Sequence, residues 1–269
     1  MEYIILLAGI MLVVILVVVL LRGSLLGQAN HQISSASNTY GALISVPTIT
    51  GLIFLVHFDS SLATYDGENS NSSGSPTFES GRFGEGVTID NVSAVNDNVT
   101  YLGPGNLNVN TSTISFWVKP KWPGSAASNN VLFDTQSVAG DLVTASNRIS
   151  INHTSAGFLD FTLFNSTGTG TSLTFNISSW AANSIHHVLV SWNVTASTRE
   201  MRVDGVLVNS STSSFGPFGG IPARIYVGQQ FGGQSSHANA TLDELVIYNR
   251  PLSGEEAQIL GATSAPVPV

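Results

Sequence analysis

Glu2 is the only charged side chain in the first twenty-one residues, and it stands directly ahead of nineteen unbroken apolar ones, Tyr3 to Leu21. A carboxylate at the mouth of an apolar helix is tolerated when it is paired. In a bundle of parallel, staggered helices the obvious partner is the α-amino group of a neighbouring chain, which makes this a position for assembly chemistry. Catalytic chemistry is harder to place. Asp243-Glu244 and His186-His187 are adjacent pairs in strand-like segments, and neighbours on a strand face opposite ways. The two histidines therefore do not chelate one ion together. Retaining hydrolysis of a glycan needs two carboxylates about 5–5.5 Å apart, hence acids at i and i+2 or i+4 of one strand. No strand-like segment has that pattern, and the chain is read as non-catalytic. Aromatic residues in Gly-rich, loop-like surroundings, Trp122, Trp180, Phe215, Phe218 and Phe231, are candidates for a ligand platform. The run Phe215-Gly216-Pro217-Phe218 is the most platform-like; its other reading is an aromatic plug at one end of a core or a contact with the next subunit.

The apolar run before Arg22 would span close to the roughly 30 Å of a bilayer core as a helix. Arg22 lies on the side of the remaining chain, where the positive-inside tendency does not favour it for a simple anchor. Gly27 to Ser45 continues in a polar register, with apolar positions Ala29, Ile33, Ala36, Tyr40, Leu43 and Ile44 at steps of three and four. One helix to about Ser45 is expected, ended by Pro47, and its length of about 65 Å suits a filament core with a spacer better than a bilayer anchor alone. Ala8 and Gly9 are small enough for close helix contact.

Beyond this stalk the composition narrows the choices. The chain has no cysteine, only 10% charged residues and a net charge of −8, so disulfides, thiolate chemistry and a basic stripe for nucleic acid are all excluded. Sequons for N-linked glycans start at Asn71, Asn91, Asn98, Asn110, Asn152, Asn165, Asn176, Asn193, Asn209 and Asn239, and none falls in the stalk. Attached sugar would supply the hydration that charged side chains do not.

From Gly51 onward short alternating segments recur between Gly, Asn, Ser and Pro: GLIFLVHF, STISFWVKP, NRISINH, FLDFTLFN, HHVLVSWNV, EMRVDGVLVNS, ARIYVGQ and TLDELVIYN. These are strands, and Val203-Asp204-Gly205-Val206 is a hairpin signal. With no long helical period between them, the fold class is mainly β, an antiparallel sandwich behind a long N-terminal hydrophobic helix. Three segments follow: residues 1–46, helix and polar stalk; 47–261, the β head; 262–269, a Pro-rich extended tail.

Glu2-Tyr3-Ile4-Ile5-Leu6-Leu7-Ala8-Gly9, continued by Gly27-Gln28-Ala29-Asn30, resembles the N-terminus of archaeal type IV pilin-like proteins. The basic leader of that group is not seen ahead of Glu2, as expected of a chain already mature, of a misplaced start or of a protein that never had one. The head resembles laminin-G-like, concanavalin A-like jelly rolls. It does so through Gly81-Arg82-Phe83-Gly84-Glu85-Gly86, Ile114-Ser115-Phe116-Trp117-Val118-Lys119-Pro120, His186-His187-Val188 and the run from Leu242 to Glu256. In one departure, Ile185 holds the place before the paired histidines where that family usually has Trp, and Trp180 lies upstream on a lengthened loop. These resemblances imply a subunit of an extracellular, cell-surface filament, membrane-inserted before assembly. It would polymerise with itself through Glu2, Tyr3, Ala8 and Gly9 and display glycosylated, lectin-like heads for adhesion to surface carbohydrate. A single-pass membrane-anchored lectin that does not polymerise is the alternative. The jelly-roll resemblance also implies calcium where the first and last strands meet, at Asp59 and Asp243, the other reading of Asp243 being a turn cap.

Overall fold

A computed structural model describes residues 49–73, 76–90, 98–135, 146–230 and 236–262. The chain divides into two units, Met1–Thr48 and Ile49–Val269. The segment expected to form the stalk helix, with Glu2, Tyr3, Ala8 and Gly9, the sequon at Asn91, Phe231 and the tail after Ala262 lie outside the described residues. Among those residues no helix is long and apolar enough to cross a membrane.

Among the described residues fifteen antiparallel strands form two sheets. Sheet I runs β13 (Val206–Ser211), β12 (Thr198–Val203), β11 (His186–Asn193), β6 (Thr111–Pro120), β15 (Ala240–Tyr248), β4 (Glu85–Ile89) and β3 (Thr77–Ser80), with β1 (Leu52–Val56) paired to β15 beside this path. Sheet II runs β10 (Gly170–Asn176), β9 (Phe158–Phe164), β8 (Arg148–His153), β7 (Asn130–Thr135), β14 (Arg224–Val227), β5 (Asn98–Leu102) and β2 (Asn71–Ser73). The eight alternating segments of the sequence are β1, β6, β8, β9, β11, the β12–β13 hairpin, β14 and β15. In that hairpin Val203 pairs with Val206, and Asp204 and Gly205 take φ of 51° and 78°, the left-handed pair that a two-residue turn requires.

Alternation decides the two faces. Ile114, Phe116 and Val118 of β6 and Val188, Val190 and Trp192 of β11 meet Ile149 and Ile151 of β8 and Leu159, Phe161 and Leu163 of β9 in the main core. The opposite face of sheet I is covered too. Leu55, Leu189, Val246 and Tyr248 pack beneath Leu252, Ala257 and Leu260, the last two from α1 (Gly254–Ala262). Ser253 caps this helix: its Oγ accepts the Glu256 amide at 3.2 Å, and its own amide donates back to Glu256 Oε2 at 2.8 Å, a capping box. Sheet II carries its polar side chains on the outer face, in one cross-strand row of Thr100, Tyr226, Asp134, Ser150, Thr162 and Ser172.

Candidate functional site

The two acids expected at the strand junction do come together, on one turn. β15 is paired along one edge by β4 at its start and by β1 at its end, Ala240 facing Ile89 and Leu245 facing Val56. Between these pairings β15 bulges: its register with β6 shifts between Asp243 and Val246, and Glu244 takes φ of 51°. Leu242 and Leu245 both enter the main core although three residues apart. The bulge thus keeps both acids between them out of the apolar interior, and overrides the alternation that would send one inward.

Each acid has a fixed task. Asp243 Oδ2 accepts the amides of Arg82 at 2.7 Å and Phe83 at 2.9 Å, and Asp59 Oδ1 accepts the Glu85 amide at 2.8 Å. Glu244 Oε1 lies 2.6 Å from His57 Nδ1, and Ser60 Oγ donates to Glu85 Oε2. The turn 81–85 is therefore clamped from two sides. Burial, with Glu244 and Asp59 nearby, pushes the Asp243 carboxyl up to about 7 against the pull of the two amides. The hydrogen bond to Glu244 raises His57 above its ordinary value, against the opposing effect of burial. Calcium favours six to eight oxygen ligands, and this donor set falls short of a cage. One oxygen of each Asp is spent on amides, Asp243 Oδ1 is the remaining buried atom without a partner, and no three His, Asp or Glu among the described residues are grouped to hold an ion. The geometry is that of the turn cap.

Beside the clamped turn opens a cleft of about 370 Å³. It is lined by the polar residues Ser60, Ser61, Asn69 and Ser70 and by Leu62, Ala63 and the half-buried Phe78 of edge strand β3. Its loop is held at several points. Leu62 O accepts the Tyr101 hydroxyl at 2.8 Å, the Thr64 and Glu68 backbones bond at 2.9 Å, and Glu68 Oε1 accepts the Leu102 amide at 2.9 Å. Sequence reasoning missed this cleft, because serines and one asparagine on a loop carry no periodic or spaced signal.

The aromatic candidates are walls rather than platforms. Trp180 is buried and stacks on His186 with ring centroids 3.9 Å apart and planes 5° from parallel. Phe215 is buried beneath the Arg199 guanidinium at 5.0 Å, and Phe218 packs half-buried against the core. Trp122 is buried against His153 and donates its indole N–H to Ala238 O.

The paired histidines separate as neighbours on a strand should. His187 is buried under α1, 2.7 Å from Ser115 Oγ, and burial lowers it to about 4. His186 lies between Asp204 Oδ2 at 2.9 Å and Ser184 Oγ at 2.8 Å. That series has the order of a hydrolytic triad, with the Ser184 hydroxyl also 2.6 Å from Ala181 O, to which it donates.

The described sequon asparagines lie at the ends of strands, in turns, on the outer face of sheet II and, for Asn209, within β13 of sheet I. Asn71, Asn110 and Asn176 are exposed, and Asn152, Asn165, Asn193, Asn209 and Asn239 are half-buried. Asn98 opens β5.

A family model described as the concanavalin A-like lectin/glucanases superfamily (Laminin_G_3) matches residues 93–258. No curated protein matches the chain. Among solved structures it is similar to the binding domain of botulinum neurotoxin serotype D, at 15% identity and a TM-score of 0.62 over 78% of this chain and 51% of that one. The binding domain of botulinum neurotoxin DC in complex with SialylT matches at 17% identity and 0.61, over 79% and 51%. Domain 4 of AbnA, a GH43 extracellular arabinanase from Geobacillus stearothermophilus, in complex with arabinotriose, matches at 16% and 0.58, over 78% and 98%. The chain thus spans about half the length of the toxin domains, and at these identities what is shared is the fold. With the two-sheet architecture and a family match over more than half its length, the chain belongs to the concanavalin A-like lectin/glucanases superfamily.

Proposed function

We propose that the protein is a non-catalytic, carbohydrate-binding surface protein. Its head takes neutral sugar at the cleft beside the 81–85 turn, and its N-terminal helix builds it into an extracellular, type IV pilus-like filament. The observation that carries the binding reading is the lining of the cleft, which joins polar residues, Ser60, Ser61, Asn69 and Ser70, with the aromatic Phe78. Sugars are recognised by such a pairing of polar groups with an aromatic wall. Asp59 and Glu85 stand next to Ser60, so the local field disfavours acidic sugars and selects neutral ones. The filament reading is carried by Glu2 ahead of its apolar run.

Full-length protein in detergent, applied to immobilised glycans, should retain neutral oligosaccharides over sialylated ones, and Phe78→Ala should lose that retention. Equal retention by the variant overturns the cleft as the site. Electron microscopy of sheared surface material should show helical filaments containing this chain, absent or disordered for Glu2→Ala. A dispersed, detergent-extracted monomer would favour the membrane-anchored lectin instead.

A further inference from the structure

Phe158 is an aromatic out of place. It opens β9, where Leu159, Phe161 and Leu163 enter the core and Phe158, Asp160 and Thr162 face outward. It therefore sits on the polar face of sheet II with 36% of its surface exposed. Directly across the β9–β10 pairing from it stands Asn176, an exposed sequon residue followed by Ile177 and Ser178. Residues directly opposite in an antiparallel pair bring their Cβ atoms to about 4.5–5.5 Å. The Asn176 side chain is already oriented, because its Oδ1 accepts the Ser178 amide at 2.9 Å and the Ser178 hydroxyl at 2.6 Å. Its Nδ2, the atom that carries an N-linked sugar, makes no hydrogen bond.

Other sequons lack this combination. Asn209 Nδ2 is committed to Thr174 O at 2.8 Å, and Asn165 Nδ2 lies where a Cβ on Gly216 would be 2.7 Å away. Asn176 alone among the described sequons pairs directly with an exposed aromatic ring.

We propose that Asn176 carries an N-linked glycan whose first pyranose packs its C–H face over the Phe158 ring, making the modification a structural part of sheet II. This rests on reading the head as an exported, glycosylated domain, and is independent of what the cleft binds. The sugar covers apolar surface that β9 otherwise leaves in water.

The test uses full-length protein from an N-glycosylating host. Glycopeptide mass spectrometry should find Asn176 occupied. Asn176→Gln should lower the thermal midpoint by about 2–4 °C in the Phe158 background, and by much less in Phe158→Ala, whose exposed side chain can be truncated without opening the core. An unmodified Asn176 peptide, or an equal drop in both backgrounds, overturns the proposal. Loss of neutral-sugar retention in these variants' parent would count against the cleft alone, since occupancy and midpoint do not depend on it.

Discussion

His57 Nδ1 and Glu244 Oε1 meet at 2.6 Å, joining the end of β1 to the inserted residue of the β15 bulge. Without that bulge Glu244 would point into the main core, where an unpaired carboxylate is not tolerated. The bulge, the positive φ and the ion pair are thus one device for bringing two acids to the junction of β1, β4 and β15.

That device gives a pH dependence with a definite sign. His57 is raised above 6.5 by Glu244, and Asp243 is pushed up to about 7 by burial. Both groups hold protons in the folded state that the unfolded chain has released, so stability rises as pH falls from 8 to 6.5. Below 6.5, His187, lowered to about 4 by burial, works the other way, because the unfolded chain then binds the extra proton. Thermal midpoints should climb between pH 8 and 6.5, and His57→Gln should flatten that rise. An unchanged slope in the variant would remove His57 from the account.

Gly84 tests the clamp on the turn. It takes φ of 66°, and a Cβ there would collide with Asp59 Oδ1. Gly84→Ala therefore strains the backbone and displaces the carboxylate that holds the Glu85 amide. A loss of about 1–3 kcal/mol is expected in denaturant unfolding. At Gly67, with φ of 88° but open space around it, the same substitution meets only the backbone penalty and should cost less.

Arg148 and Asp134 make a bidentate pair, 2.7 Å at each bond, and Asp134 is fully buried. Arg148→Ala leaves a buried carboxylate without its cation. This should cost about 3 kcal/mol, with Arg148→Lys recovering only part because it lacks the fork. Urea midpoints of the two variants check it.

How far the sequence could be read depended on where the information lay. Alternation located β6, β8, β9, β11 and β15, because each has one face in the core. The hairpin at Asp204-Gly205 was legible because two adjacent positive-φ positions call for those residues. β7 was not, since its six residues, Asn130 to Thr135, are buried throughout and too few to carry a period, whereas β15, buried throughout as well, runs for nine. α1 had a local signal, Ser253 with Glu256 three residues on, but only a nine-residue span. At the site, Asp59 and Asp243 both hold the turn 81–85. Their task depends on which backbone amides face them, and those belong to a turn some 160 residues from Asp243. For the aromatic candidates the Gly- and Ser-rich surroundings of Trp180 and Phe215 fitted platform and plug alike, and the burial of both rings favours the plug.

Trp180 and Phe78 should therefore separate stability from binding. Trp180 is buried and stacked on His186, whose Nδ1 holds Asp204. Burial pushes the Asp204 carboxyl up, but His186 and the His187 amide outweigh it and hold it below its ordinary value. Removing the indole opens a cavity and loosens the support of that imidazole, so Trp180→Ala should cost about 3–5 kcal/mol. Above the midpoint of a denaturation curve it would lose sugar binding only by unfolding. Phe78 lies half-buried on an edge strand and packs against the main core, so Phe78→Ala should lower the midpoint by less than Trp180→Ala does, while abolishing retention on neutral glycans where the variant is still folded. If Trp180→Ala instead stays fully folded and loses binding, the wall is a platform after all and the site moves from the cleft to the end of the sandwich.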